Sequence, residues 1–252
     1  MAAAYDTYDY LSYWLGRGYE HKSEVYALKE LLTKIKNIDT ILEVGAGFGR
    51  LVPAYNYRAK KVIISDPSSK LLKVARETFK DKKKYKFIHS SLENLPQKLR
   101  AKSVDLLVLV RVIHHLTDLD LTFSIIKRLL ADRGYLILEF PNKRNLKQIV
   151  RQMMKGNFTF ASDIFPLDLR SKRSVKNKTL PFFNYHPDKI KDLLKEYDFD
   201  VVEIRSVSNI RSGPFKKIFA SDTLLAIEKV FQKPLSFFFF GPSIFVLAQK
   251  KG

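Results

Sequence analysis

Between residues 40 and 140 the chain alternates short, almost uninterrupted apolar runs with longer segments whose apolar residues recur at helical spacing. The runs TILEVG (40–45), KVIISD (61–66), YKFIHS (85–90), VDLLVLV (104–110) and GYLILEF (134–140) read as strands buried on both faces. Between them, SSKLLKVARETFK (68–80) and DLTFSIIKRLLAD (120–132) read as amphipathic helices, with Ser68 or Ser69 and Asp120 as N-caps. Parallel neighbours joined by helices need right-handed crossovers, so the pattern predicts an α/β fold with a doubly wound, mostly parallel sheet and helices on both faces.

Outside this stretch the runs FDVVEIRSVSN (199–209) and SIFVLAQK (243–250) bring the predicted strands to seven. SEVYALKELLTKI (23–35) predicts a helix capped by Ser23, and HPDKIKDLLKEY (186–197) one with Pro187 in its first turn. Residues 214–232 also show helical periodicity. A length of 252 residues with 46% hydrophobic content suits one domain with additions. The organisation expected is a helical cover over 1–37, a cofactor-binding core over 38–142, a basic and aromatic cap over 143–185, and a closing unit over 186–252 with a second insertion at 210–240.

Composition removes several chemistries. No cysteine is present, which excludes disulfides, thiolate metal sites and a cysteine nucleophile, and no metal site is expected. The N-terminus lacks the basic-then-apolar pattern of a secretory signal, and the longest apolar-rich run, Pro234 to Ala248, is short for a spanning helix and broken by Gly241 and Pro242. The expected location is cytoplasmic, with peripheral attachment at the inner membrane face as a variant of it. A net charge of +19 attracts nucleic acid, anionic lipid or acidic substrates in general. Much of it is local: from Lys143 to Leu180 there are ten basic residues and two acidic ones.

The first crossover carries the chemistry. After the strand 40–45 come glycines at every second position, Gly45, Gly47 and Gly49, and the next strand ends in Asp66. Glycines admit a ligand to bare backbone, and a carboxylate one βα unit later accepts two ribose hydroxyls, which together are the requirements for binding a nucleoside at strand ends. A dinucleotide usually asks for G-x-G-x-x-G, with its pyrophosphate on the helix N-terminus. Here the spacing is G-x-G-x-G and Glu43 stands beside the loop. A carboxylate there suits a ligand bearing an ammonium and a sulfonium, so the balance favours S-adenosylmethionine.

LEVGAGFGRL, Asp66, SSLENLP (90–96) and DLLVLVRVIHHL (105–116), in that order, closely resemble the class I S-adenosylmethionine-dependent methyltransferases, particularly the branch that includes quinone-biosynthesis enzymes. The resemblance implies that Glu43, Gly45 and Gly47 line the methionyl part, with Ala46 among the cofactor-binding residues, that Gly49 opens the following helix, and that Asp66 takes the ribose hydroxyls. Pro67 then contacts the adenine face, while Ser91 and Leu92 sit at the adenine edge. The family often has an acidic residue at the Ser91 position, so its absence leaves the Leu92 backbone to serve. Arg111 is expected beside the transferring methyl, and Arg17, with Tyr10, Tyr13 and Trp14, over the cofactor's carboxylate.

Methyl transfer needs a nucleophile held in line with the leaving sulfur, and a base only where that nucleophile carries a proton of high pKa. His114 and His115, after the fourth strand, are the candidate catalytic residues. His186 reads as a neighbour of a helix cap. Covalent pyrimidine methylation is excluded without a cysteine, and the Asn/Asp-Pro-Pro-aromatic motif of exocyclic amine methylation is replaced here by VRVIHHL. Phe182, Phe183 and the run Phe237 to Phe240 favour an acceptor with an apolar part, a small or lipid-linked metabolite, with an anionic membrane surface as a further partner. RNA methylation through the basic insertion, and a methyltransferase-like binding protein without turnover, are the alternatives.

Overall fold

The structure, a computed structural model, describes residues 10–177, 179–210 and 219–252. Its centre is a seven-stranded sheet assembled from β1 (Thr40–Val44), β2 (Lys61–Asp66), β3 (Tyr85–His89), β4 (Val104–Leu109), β5 (Leu130–Pro141), β8 (Phe199–Val207) and β9 (Ser243–Lys250). Two further strands, β6 (Leu167–Asp168) and β7 (Phe183–Asn184), pair with each other inside the basic segment. The order across the sheet is β3-β2-β1-β4-β5-β9-β8, and only β9 runs against its neighbours. The strand order reverses between β1 and β4, which opens a crevice at their carboxyl ends, where doubly wound sheets bind ligands.

Side-chain alternation explains why the strands read as continuous apolar runs. Leu42, Val44, Leu107, Leu109 and Leu138 face one layer, packed on α5 (Leu119–Leu129) and α8 (Pro187–Glu196). Ile41, Ile64, Leu106, Val108 and Ile137 face the other, packed on α2 (Gly18–Leu32), α3 (Val52–Tyr55) and α4 (Ser69–Thr78). Both faces are covered by helices and lined almost wholly by apolar side chains, which leaves no alternating polar set. Among the described residues the other α-helices are α1 (Tyr10–Tyr13), α6 (Leu146–Met153), α7 (Lys172–Lys176) and α9 (Ser221–Phe231).

The caps show where local signals were overridden. Ser68 caps α4 as expected, its hydroxyl accepting from the Leu71 amide at 3.2 Å. The α5 cap is Asp118 rather than Asp120, accepting from the Leu121 amide at 2.8 Å. α2 begins at Gly18, five residues before the expected start, and Ser23 lies buried within it instead of capping it. Its register is chosen by packing on α9, α3 and β8, which outweighs the modest worth of a cap. β5 begins at Leu130, so the expected helix end 130–132 is strand, with Arg133 at φ +61°. His186 caps α8, accepting from the Asp188 amide at 3.2 Å. The helix expected over 214–232 is seen as α9, its first five residues lying outside the described ones.

Candidate functional site

β1 ends at Val44, and the chain then turns through Gly45, Gly47 and Gly49 at φ +67°, +58° and +82°. Side chains rarely adopt this left-handed region. A Cβ on Gly45 would in addition strike the Val112 side chain, and one on Gly49 the Phe79 ring. The turn is braced from β2. Asp66 Oδ2 accepts the Gly47 amide at 2.7 Å, and its Oδ1 accepts the Ser68 amide at 2.7 Å at the start of α4. One carboxylate thus fixes both the glycine turn and the helix beyond the next strand.

This turn walls a cavity of about 340 Å³ at the carboxyl ends of β1, β2 and β4. Gly45, Gly47, Asp66 and Pro67 form one side, Ser91 and Leu92 another, and Arg111 and His115 the third. These eight expected site residues therefore converge from four loops. The other five do not reach the wall. Glu43 shares the face of Ile41, pointing into the α2 and α3 layer, where the Tyr55 hydroxyl donates to it at 2.5 Å. Ala46 packs in that same layer, and Gly49 faces Phe79. His114 lies behind His115, ring centroids 4.0 Å apart. Arg17 stacks on Tyr13 at 4.1 Å.

Two buried carboxylates not anticipated from the sequence organise Arg111. Its guanidinium Nε donates to Glu24 Oε1 at 2.7 Å, and its amide donates to Glu139 Oε2 at 2.8 Å while the residue sits at φ +59°. Arg50 donates to the other oxygen of Glu24 at 2.6 Å. The Trp14 ring faces both guanidiniums, 3.6 Å from Arg50 and 4.8 Å from Arg111. Burial pushes the Glu24 carboxyl up, yet the two arginines overcome it and hold it below its ordinary value. Glu139 is raised by burial, against the pull of Arg111. Glu24 was readable in principle, as an acid on the apolar stripe that includes Ala27, Leu28 and Leu31.

The consequence is electrostatic. Arg111 is the one lysine or arginine among the cavity's lining residues and is paired with Glu24, and the acids of the same lining are Asp66 and Glu93. A cationic ligand is favoured over a phosphorylated one. Deeper in, His115 Nδ1 lies 2.7 Å from the Pro181 carbonyl, which fixes Nδ1 as donor and leaves the lone pair of the neutral ring on Nε2. Burial lowers the His115 pKa, the Pro181 contact opposing it, and burial lowers that of His114 much further. Among the described residues, no group of three or more His, Cys, Asp or Glu is arranged to hold a metal ion.

Glu43 carries a pH signature. Burial pushes its carboxyl from 4.5 up to about 7. A raised carboxyl binds its proton more tightly in the folded state, so stability is full below about 4.5 and falls as pH rises through about 7. Replacing Glu43 by Gln is expected to abolish this slope, leaving the variant more stable than the parent by up to about 3 kcal/mol at pH above 7. Urea unfolding across that range measures it; parallel curves for the two proteins would show that the carboxyl is not the titrating group.

Residues 42–138 match the profile of a family described as a methyltransferase domain. No curated protein matches the chain in sequence. Solved structures do. An S-adenosylmethionine-dependent methyltransferase from Mesorhizobium loti superposes with a TM-score of 0.61 at 18% identity, covering 92% of this chain and 100% of that one. One from Archaeoglobus fulgidus gives 0.60 at 17%, covering 96% and 100%. A Thermotoga maritima protein described as a SAM-dependent methyltransferase, possible histamine N-methyltransferase, gives 0.60 at 16%, covering 98% of each chain. At these identities the likeness is one of fold.

Proposed function

We propose, from the premise that this chain carries a class I S-adenosylmethionine-dependent methyltransferase domain, that it methylates a small acceptor with an apolar part. The observation that carries this reading is the glycine-walled cavity with Asp66 as its braced, buried carboxylate.

The cavity residues suit S-adenosylmethionine one part at a time. Asp66, held in place by the Gly47 and Ser68 amides, would accept the ribose hydroxyls. Pro67, Leu71 and Leu92 offer an apolar slot for the adenine, and Ser91 supplies a polar group at its edge. The backbone of Gly45 and Gly47 admits the methionyl part at close range. When bound, the cofactor supplies an electrophilic methyl group on a sulfonium, and transfer is an in-line displacement in which the acceptor's lone pair forms the new bond as the carbon–sulfur bond breaks.

The protein's share is orientation, exclusion of water and the fate of one proton. Positioning alone supplies up to roughly 7–11 kcal/mol in well-oriented reactions. Leu116 and Leu180 line the cavity, and the Phe182 ring packs at a tilt against His114, centroids 4.6 Å apart, so the region around His115 is apolar. His115 Nε2 takes the proton of an oxygen or nitrogen acceptor; His114 backs its ring rather than touching the acceptor.

Calorimetry with S-adenosylmethionine and S-adenosylhomocysteine tests the reading, with micromolar binding expected; no binding would leave the chain a methyltransferase-like fold without the cofactor. With an acceptor in hand, His115→Gln is expected to lower kcat by about 10²–10⁴-fold. Because the ring's pKa lies below its ordinary 6.5, the parent's activity is expected to persist below that pH and to fall as the ring gains a proton. An acid limb that survives in the variant would take the base role from His115.

A further inference from the structure

α6 is an amphipathic helix whose apolar side is left uncovered by the described residues. Leu146, Ile149, Val150 and Met153 share one face, Lys147 and Arg151 the other, and no residue of the helix is buried. Val150 is 46% exposed and Met153 49%; just beyond the helix, Met154 reaches 84% and Phe158 72%. Such a contiguous apolar display on a charged surface marks an interaction site.

The display is broad and rigidly held. Asn142 is fully buried, and its side-chain amide donates to the Phe239 carbonyl at 2.6 Å and the Gly241 carbonyl at 2.8 Å. The Leu146 amide donates to the Phe240 carbonyl at 3.1 Å. The start of α6 is thereby clamped beside the turn that exposes Phe237 and Phe238, 79% and 77% accessible. After the helix the chain is tied back by buried Lys143, whose ammonium donates to the Asp163 carboxylate and to the carbonyls of Asp163 and Phe165, each at 2.7 Å.

Charge selects the partner. From Lys143 to Ser162 there are five basic residues and no acid, and Lys147, Arg151 and Lys155 are exposed beside the apolar face. A basic helix with an aliphatic face lies in the plane of a lipid interface, its cations over anionic headgroups and its apolar side chains in the acyl boundary. Nucleic acid would ask for aromatic platforms along a basic groove, whereas the apolar side chains of α6, interleaved with its cations, are leucine, isoleucine, valine and methionine, and the exposed phenylalanines lie outside the helix.

We propose that this face, α6 with Phe158 and the Phe237–Phe238 tip, docks the protein on an anionic lipid surface. The proposal rests on the methyl-transfer reading only for what docking delivers: the same segment returns through Leu180 to the cavity wall, so an amphiphilic acceptor reaches the site from the surface.

The test is sedimentation of the full chain with phosphatidylcholine vesicles, with and without phosphatidylglycerol, and with single-stranded RNA in parallel. Binding to the anionic vesicles alone is expected, weakened at least about tenfold both by Val150→Asp with Met153→Asp and by Lys147→Glu with Arg151→Glu. Both variants are expected to bind S-adenosylmethionine as the parent does, which separates failure of this proposal from failure of the cofactor reading. No vesicle binding, binding indifferent to the apolar-face variant, or capture by RNA in preference to vesicles would overturn it.

Discussion

Replacing Asp66 by Ala is expected to weaken S-adenosylmethionine binding by roughly two orders of magnitude while the protein stays folded. Two ribose hydroxyls donating to an ionised carboxylate contribute at least about 1.5 kcal/mol each, so about 3 kcal/mol of affinity goes with the side chain. The fold loses something too, because the Gly47 and Ser68 amides lose their shared acceptor, at about 1–2 kcal/mol as for a missing helix cap. Asp66→Asn is the informative companion. It keeps one carbonyl oxygen to brace the turn, yet it has lost the charge and one of the two acceptors. Calorimetric titration beside thermal unfolding separates the effects; an alanine variant that binds as the parent does would remove Asp66 from the ribose.

That carboxylate was legible in the sequence because both of its contexts are local: it ends an apolar run and it follows a glycine turn by one βα unit. The same holds for the sheet. β1, β2 and β9 end within a residue of the runs that predicted them, since a strand buried on both faces leaves a continuous apolar trace. Legibility fails where a distant contact decides. α2 starts at Gly18 because its buried face, from Tyr19 to Leu32, follows α9 and β8, not because of any capping residue. The β6–β7 pair has two residues to a strand, too few to show a period. Glu43 is the instructive case for the site. Its position beside the glycines was visible, but strand alternation turns it to Tyr55, away from the cavity, and only the register of β1 settles that.

The charge cluster at Arg111 is the part of the site that no local pattern announces, because Glu24 and Arg111 lie 87 residues apart. It also carries the largest expected effect on stability. Glu24 is fully buried and holds two guanidiniums, so Glu24→Gln leaves two cations facing a neutral amide. Removing one partner of a buried pair costs about 3–5 kcal/mol, and at roughly 2–4 °C per kcal/mol for a chain of this size the melting temperature is expected to fall by about 10 °C. The sign with pH follows from the depressed carboxyl. Its contribution is full above the ordinary value of 4.5 and disappears as pH falls through the lower folded value, so parent and variant are expected to converge in acid. Adding Arg111→Met to the variant removes one of the stranded cations, and the double variant is expected to regain part of the lost stability. Costs that simply add would mean that the two side chains are not coupled, and that Arg111 is held at the cavity by Glu139, Tyr13 and Trp14 instead.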